Sequence, residues 1–236
     1  HSIHHQKKKY GTVEDPEYLP VALMKPWTVP IFVVVSALAP IGMVIRFGIL
    51  GPISMLFPPL RVLVRERLSG LIINPVFRRK KAEGELAKHW PRQELAASVW
   101  AMTLIALTAT GVIPWVAVGV YLSIMAGVMV LNQVRTLVAH LWENDGAEMS
   151  VTEQYLDSVN VPPPGLLPEL WAPVGLRYHA LHHLLPGVPY HNLPKAHRRL
   201  MAELPADSRY HGGNYDSLPK LLGNLVKGSG KTAWFG

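Results

Sequence analysis

From Leu95 to Val134 the chain carries no Asp, Glu, Lys or Arg, a run of 40 residues. Wound as helix at about 1.5 Å per residue, this is roughly 60 Å, or about two hydrocarbon thicknesses of a bilayer. Gly111 and Pro114 interrupt it near the middle. The run therefore predicts a hairpin of two transmembrane helices, Leu95–Ile113 and Trp115–Val134, with almost no external loop. Composition agrees. The chain is 49% hydrophobic and only 17% charged, against roughly 25% charged for an ordinary soluble domain.

The rest of the 236 residues is one domain's worth of chain arranged around that hairpin. Residues 1–26 are polar and basic, with a turn at Asp15-Pro16-Glu17. Residues 27–59 are apolar with Arg46 as their one charge, broken by Pro30, Pro40, Gly42, Gly48, Gly51, Pro52, Pro58 and Pro59. Residues 60–94 read as a basic cytoplasmic linker. Residues 135–236 read as a polar cap with short helices near 136–143, 150–158, 176–184 and 192–203 and a loose tail from Asp207. The expected fold is an all-α integral membrane protein: a transmembrane helical hairpin, interfacial helices and a cytoplasmic helical cap.

The net charge of +7 is distributed beside the apolar segments, at Lys7, Lys8, Lys9, at Arg78, Arg79, Lys80, Lys81, and at Arg135. This matches the positive-inside pattern and contact with anionic lipid heads rather than a nucleic-acid interface. The absence of cysteine excludes disulfides, thiolate metal sites and a cysteine nucleophile. Arg46 is expected to snorkel to the headgroups. Trp100, Trp115 and Tyr121 are expected to anchor or pack the helices.

Seven of the eleven histidines stand out. His1, His4 and His5 form HSIHH, and His179, His182 and His183 form HALHH, the same H-x-x-H-H spacing twice. On a helix, positions i, i+3 and i+4 share a face, so each cluster can aim three imidazoles at one point. Imidazole suits iron, zinc, copper and nickel. The bland alternatives are a solvated tail or tag remnant for HSIHH, chance surface histidines for HALHH, and a helix cap for His140. His140 lies six residues past the second span, where an emerging helix would project it toward the same face. His191 and His197 fall off the register and suit structural or supporting roles. Asp157 and Glu143 are conceivable hydrogen-bond partners for metal-bound rings. His89 and His211 receive no role. If the two clusters share a site, both lie on one side of the membrane. The hairpin crosses twice and returns, so the 27–59 segment is expected to lie in the interface or dip in and return.

These residues resemble the integral-membrane fatty acid desaturase family, which carries three histidine boxes. HSIHH looks like its second box and HALHH its third, and His140 is similar to an additional metal-ligating histidine. The runs GTVEDPEY after HSIHH and GLRYHALHHLLPGVPYHNLPKAHRRL over 175–200 also look familial. The resemblance covers nearly the whole chain and is nearer to bacterial members than to animal acyl-CoA desaturases. In the animal enzymes an Asn precedes the extra histidine by four residues. Here that position is Thr136, and the ligand is not carried over.

The resemblance implies two non-haem iron ions held by His1, His4, His5, His140, His179, His182 and His183 on the cytoplasmic face, with O2 as co-substrate. The implied reaction is desaturation of a fatty acyl chain carried on CoA, acyl carrier protein or a lipid. Electrons would come from a carrier such as a ferredoxin or cytochrome b5, and the location would be a bacterial inner membrane. The first box has no counterpart here. The chain is therefore expected to begin inside a longer protein, with partial metal loading and little activity as it stands. Two alternatives remain open. One is a histidine-box hydroxylase or ketolase acting on an alkane, carotenoid or sphingolipid. The other is a membrane protein that binds metal without catalysis.

Overall fold

The computed structural model describes residues 2–19, 24–25, 27–68, 73–74, 76–164, 172 and 175–228. The chain divides into two compact units. One comprises His1–Val33 with Leu131–Gly236, the other Val34–Val130. Among the described residues there are helices and isolated β-bridges but no strands. The protein is an all-α membrane protein, with two helices long and apolar enough to cross a bilayer, Thr28–Ser54 and Trp115–Leu137.

The first of these covers most of the 27–59 segment, which is less interrupted than its prolines and glycines suggested. Despite its prolines and glycines, the segment is one continuous helical rod: α1 (Thr28–Ile45), a π-helical turn (Arg46–Leu50) and α2 (Gly51–Ser54). At about 1.5 Å per residue its 27 residues reach roughly 40 Å. The prolines are tolerated by position. Pro30 sits in the first turn of α1 and Pro52 in the first turn of α2, where a missing N–H costs little. Only Pro40 is interior, and the helix runs through it. After a turn, α3 (Pro58–Arg67) begins on another proline.

The first arm of the predicted hairpin starts earlier than its apolar run. The helix α4 covers Gly84–Ala109, so its N-terminal part carries Glu85, Lys88, Arg92 and Glu94. Its uncharged part is about 22 Å long, short of the roughly 30 Å of hydrocarbon. The second arm, α5 (Trp115–Leu137), carries no charge until Arg135. Its side chains stand exposed, Val116 at 77% and Ile124 at 60%, an apolar surface suited to lipid rather than water.

Within the second unit, the rod and α4 meet at small residues. A Cβ on Gly48 would fall 2.5 Å from Ile105 Cδ1, and one on Gly51 would fall 2.9 Å from Ser98 Oγ. Glycine at both positions lets the helices approach. Arg46 does not snorkel. It is 7% exposed, donates from Nε to the Leu68 carbonyl (2.6 Å) and pairs through Nη2 with Glu94 (2.6 Å).

The first unit is organised around the extended segment 158–161. Val159 donates to Ala139 O (2.9 Å), Asn160 to Gly213 O (2.8 Å) and Val161 to Arg177 O (2.7 Å). Isolated bridges pair His140 with Ser158 and Asn160 with both Tyr178 and Asn214. This short spine draws three distant stretches together. Around it pack α6 (Val151–Asp157), α7 (His179–Leu184), α8 (Leu193–Glu203) and α9 (Leu218–Gly228). The helix α6 starts on a capping box, Ser150 with Glu153, which satisfies two otherwise unpaired N–H groups. Tyr155, Tyr178, Leu181, Leu193 and Tyr210 form one apolar core, and Val138, Val159, Val161 and Leu221 another.

Two expectations change here. No helix forms over 136–143, because α5 ends at Leu137 and the chain turns into extended backbone at His140. The tail is not loose as far as Gly228. Tyr155 donates to the Tyr210 carbonyl (2.6 Å), and Tyr215 N donates to Asn160 O (2.8 Å).

Candidate metal centre

Four histidines converge in the first unit. His4, His140, His179 and His183 each offer a ring nitrogen, and these four atoms lie within 4.8 Å of one another. His140 Nε2 is 3.0 Å from His179 Nε2, which is 3.1 Å from His183 Nε2. Two imidazoles on one tetrahedral ion, with metal–nitrogen bonds near 2.1 Å, have nitrogens about 3.4 Å apart. The apposed nitrogens are thus near ligand spacing.

Each arm has a local reason. His179 and His183 stand at i and i+4 on α7, one above the other on a single face. His140 is set by the bridge to Ser158 and by the turn that Trp142 closes. Trp142 adopts φ +62°, rare for a bulky residue, is fully buried, and donates Nε1–H to the Leu137 carbonyl at the end of α5 (2.7 Å). His140 sits between the two ends of that contact. His4 and His5 lie in consecutive turns, not on the helix that their spacing suggested. The turn run is pinned by Gln6 N to Ile3 O (3.0 Å) and Tyr10 N to Gln6 O (3.0 Å).

The hydrogen bonds behind the rings fix which nitrogen faces the centre. Asp15 is fully buried, and its Oδ2 accepts from His4 Nδ1 (2.8 Å) and Gly11 N (2.9 Å), while Oδ1 accepts from Glu17 N (2.9 Å). His4 therefore carries its proton on Nδ1 and presents Nε2 as a lone pair. A relay holds His140 likewise. Tyr10 donates its hydroxyl hydrogen to Asp157 Oδ2 (2.7 Å), so its oxygen accepts from His140 Nδ1 (2.8 Å). Tyr18 donates to the other oxygen of Asp157 (3.1 Å). Carboxylates behind metal-facing imidazoles are the usual means of orienting them. Gly11, at φ +72°, makes the sharp return from Tyr10 toward Asp15, and its carbonyl accepts from Asn144 Nδ2 (3.0 Å).

Electrostatics favour the neutral rings. Burial first, then the neighbouring histidines, push His140, His179 and His183 well below the usual imidazole range. Burial, with His182 and His4 next, lowers His5 to about 4. Asp157 is raised by burial, against the hydrogen bonds that it accepts from Tyr10, Glu143 N and Tyr18. Neutral imidazoles are the form that binds metal. A cation, not protons, is the natural occupant of this cluster, and the all-nitrogen donor set fits iron.

His5 and His182 flank the four. Their ring centroids are 4.7 Å apart, and His5 stacks on His183 at 4.4 Å. His1 lies outside the described residues. Of the two suggested carboxylate partners, Asp157 is in place, while Glu143 meets the network through its backbone N–H, 3.3 Å from Asp157. His197 is buried and pairs with the Tyr210 hydroxyl (2.7 Å) in the core of the cap. His191 is exposed. Sequence reasoning missed Tyr10, Asp15, Tyr18, Trp142 and Ser158. The first three had a signal only as the polar run after HSIHH, and Trp142 and Ser158 had none. A cavity of about 120 Å³, with Val138, Val159 and Val161 in its wall, opens on His4, His140 and His179.

The family model for fatty acid desaturase matches residues 1–214, which hold every one of these groups. The chain belongs to the fatty acid desaturase family. Within that family, a ceramide hydroxylase from Caulobacter vibrioides (strain NA1000 / CB15N) is 50% identical over 227 residues. The match covers 96% of this chain and 64% of that relative, so the chain spans under two thirds of the relative's length. No solved structure matches. The histidine boxes and His140 thus lie within the region that matches the family.

Proposed function

We propose that the chain carries the metal centre of an iron- and O2-dependent membrane lipid hydroxylase acting on a ceramide-like sphingolipid. The observation that carries the reading is the 50% identity to a ceramide hydroxylase across 96% of the chain, coupled to the four converging imidazoles. The reaction inserts one oxygen atom of O2 into a C–H bond and reduces the other to water. It consumes two electrons and two protons, supplied through a separate carrier such as a ferredoxin or a cytochrome b5.

His4, His140, His179 and His183 would hold one iron, and His5 and His182 would contribute to a second. Iron bound there would supply the reduction of O2 and the oxidising power for the C–H bond. The protein's own groups have three tasks. Asp15 and the Tyr10–Asp157 pair keep Nε2 of His4 and His140 free of protons. The buried aromatic wall of Tyr10, Tyr18 and Trp142 excludes water. The valine-lined cavity beside His140 and His179 offers room for an apolar methylene. The same scaffold would serve fatty acyl desaturation, and the product separates the two. Reconstitution with a ceramide, reductant and isotopically heavy O2 should give a lipid that has gained one heavy oxygen. A lipid that has lost two hydrogens and gained no label would return the reading to desaturation.

A further inference from the structure

The second unit holds a cavity of about 460 Å³ remote in sequence from every histidine of the metal centre. Arg46, Arg65, Arg79, Lys80 and Lys81 line it, against two carboxylates, Glu66 and Glu94. Glu94 is fully committed. Its Oε1 accepts from Arg46 Nη2 (2.6 Å) and Arg61 Nη1 (2.9 Å), and its Oε2 accepts from Arg61 Nη2. Glu66 is exposed and uses its backbone carbonyl to hold Arg79 N (3.0 Å). The cavity keeps an excess of positive charge. A guanidinium nitrogen of the lining, Arg79 Nε, is buried with no hydrogen-bond partner, whereas Arg46, 7% exposed, is held by Glu94 and the Leu68 carbonyl. Buried charged donors left unpaired are costly, and an anion with several acceptor oxygens relieves that cost.

Apart from Gln93, the remaining wall is apolar. The Arg79 guanidinium carbon stands over the Trp90 ring, 4.8 Å from its centroid, a cation–π contact that holds the side chain against this wall. Phe47 and Val62 face the same space. A volume of this size exceeds a bare phosphate and suits a headgroup with the first carbons of its chains. On the same helix as Trp90, Val99 and Trp100 are 56% and 65% exposed, the kind of surface that lipid covers.

We infer that this cavity is a binding site for the phosphate of an anionic membrane lipid, with the Arg79 fork and the Lys80–Lys81 pair on the phosphate and Phe47, Val62 and Trp90 against the glycerol end. Ceramide carries no phosphate, so this ligand is distinct from the proposed substrate.

The test uses the purified chain in neutral detergent, with native mass spectrometry of bound phosphatidylglycerol and phosphatidylcholine. The wild type should retain phosphatidylglycerol preferentially. R79Q/K81Q should lose about tenfold in that affinity, the equivalent of one good charged contact, with phosphatidylcholine unchanged. K195Q/R198Q removes two exposed charges elsewhere and should bind as the wild type does. R79K keeps the charge but not the fork, and should fall between. Equal retention of both lipids, or equal loss in the two double variants, would overturn the site. Inorganic phosphate distinguishes the source. Displacement of the lipid by equimolar phosphate would mean that the cavity reads free phosphate, and the lipid assignment would fall.

Discussion

Replacing Asp15 by Asn changes one atom and tests how the centre is built. The wild-type carboxylate accepts three hydrogen bonds, from His4 Nδ1 (2.8 Å), Gly11 N (2.9 Å) and Glu17 N (2.9 Å). Asparagine has one oxygen and one NH2, so it cannot accept on both sides. With its oxygen toward His4, the NH2 opposes Glu17 N and leaves a half-buried donor without its acceptor, costing about 1 kcal/mol of stability. With the oxygen toward Glu17, the NH2 faces His4 Nδ1, and the ring must move its proton to Nε2, removing a metal-facing lone pair. The second arrangement removes the ligand outright, and the first still replaces the carboxylate charge behind His4 by a neutral amide. Losing a carboxylate behind a ligating histidine costs about 10- to 100-fold in affinity, or roughly 1.4–2.7 kcal/mol. Cobalt titration followed by ligand-field absorption, with thermal unfolding of the metal-free protein alongside, measures both terms. An Asp15→Asn protein that binds within twofold of wild type would refute the tautomer argument.

The same geometry sets other outcomes. Single alanine substitutions of His140, His179 or His183 should each remove most bound metal by elemental analysis, while His191→Ala and His89→Ala, at exposed positions, should leave it unchanged. Tyr10→Phe breaks the relay between His140 and Asp157 and should cost about 1–3 kcal/mol of stability with weaker metal retention. Unchanged unfolding and metal content would contradict the relay. The metal-free protein should lose stability as the pH falls. His5 is lowered from 6.5 to about 4, and burial and the neighbouring histidines lower His140, His179 and His183 as well. The unfolded chain therefore takes up protons first, and stability drops from about pH 6.5 downward. A flat unfolding temperature from pH 7 to about 4.5 would contradict buried neutral rings.

Much of this was legible in residue order, for identifiable reasons. The uncharged 40-residue run falls in two helices, α4 and α5, broken near Gly111 and Pro114 as the residues suggested, though of the two it is α5 that is long and apolar enough to cross a bilayer. The i, i+4 pair in HALHH needed only a helical turn, and the helix is there. The rod over Thr28–Ser54 was hidden because prolines read as breaks, although two of them sit in first turns. Arg46 was misread because its partner, Glu94, is 48 residues away. His140 was placed on a helix by extrapolating α5, whereas Trp142 stops that helix by capping it. Asp15 and Tyr10 lay beside HSIHH in plain view, but a buried carboxylate within a polar loop has no periodic signal. Their roles depend on contacts such as Tyr10 with Asp157, 147 positions apart.

The central claim is that His4, His140, His179 and His183 hold iron through their nitrogens. X-ray absorption at the iron edge of the iron-loaded protein tests it most directly. The account predicts a first shell dominated by nitrogen near 2.1 Å, with the outer-shell scattering of imidazole rings, and the loss of that imidazole signal in His179→Ala. A first shell of water and carboxylate oxygen without imidazole scattering, or a spectrum unaltered by His179→Ala, would contradict it.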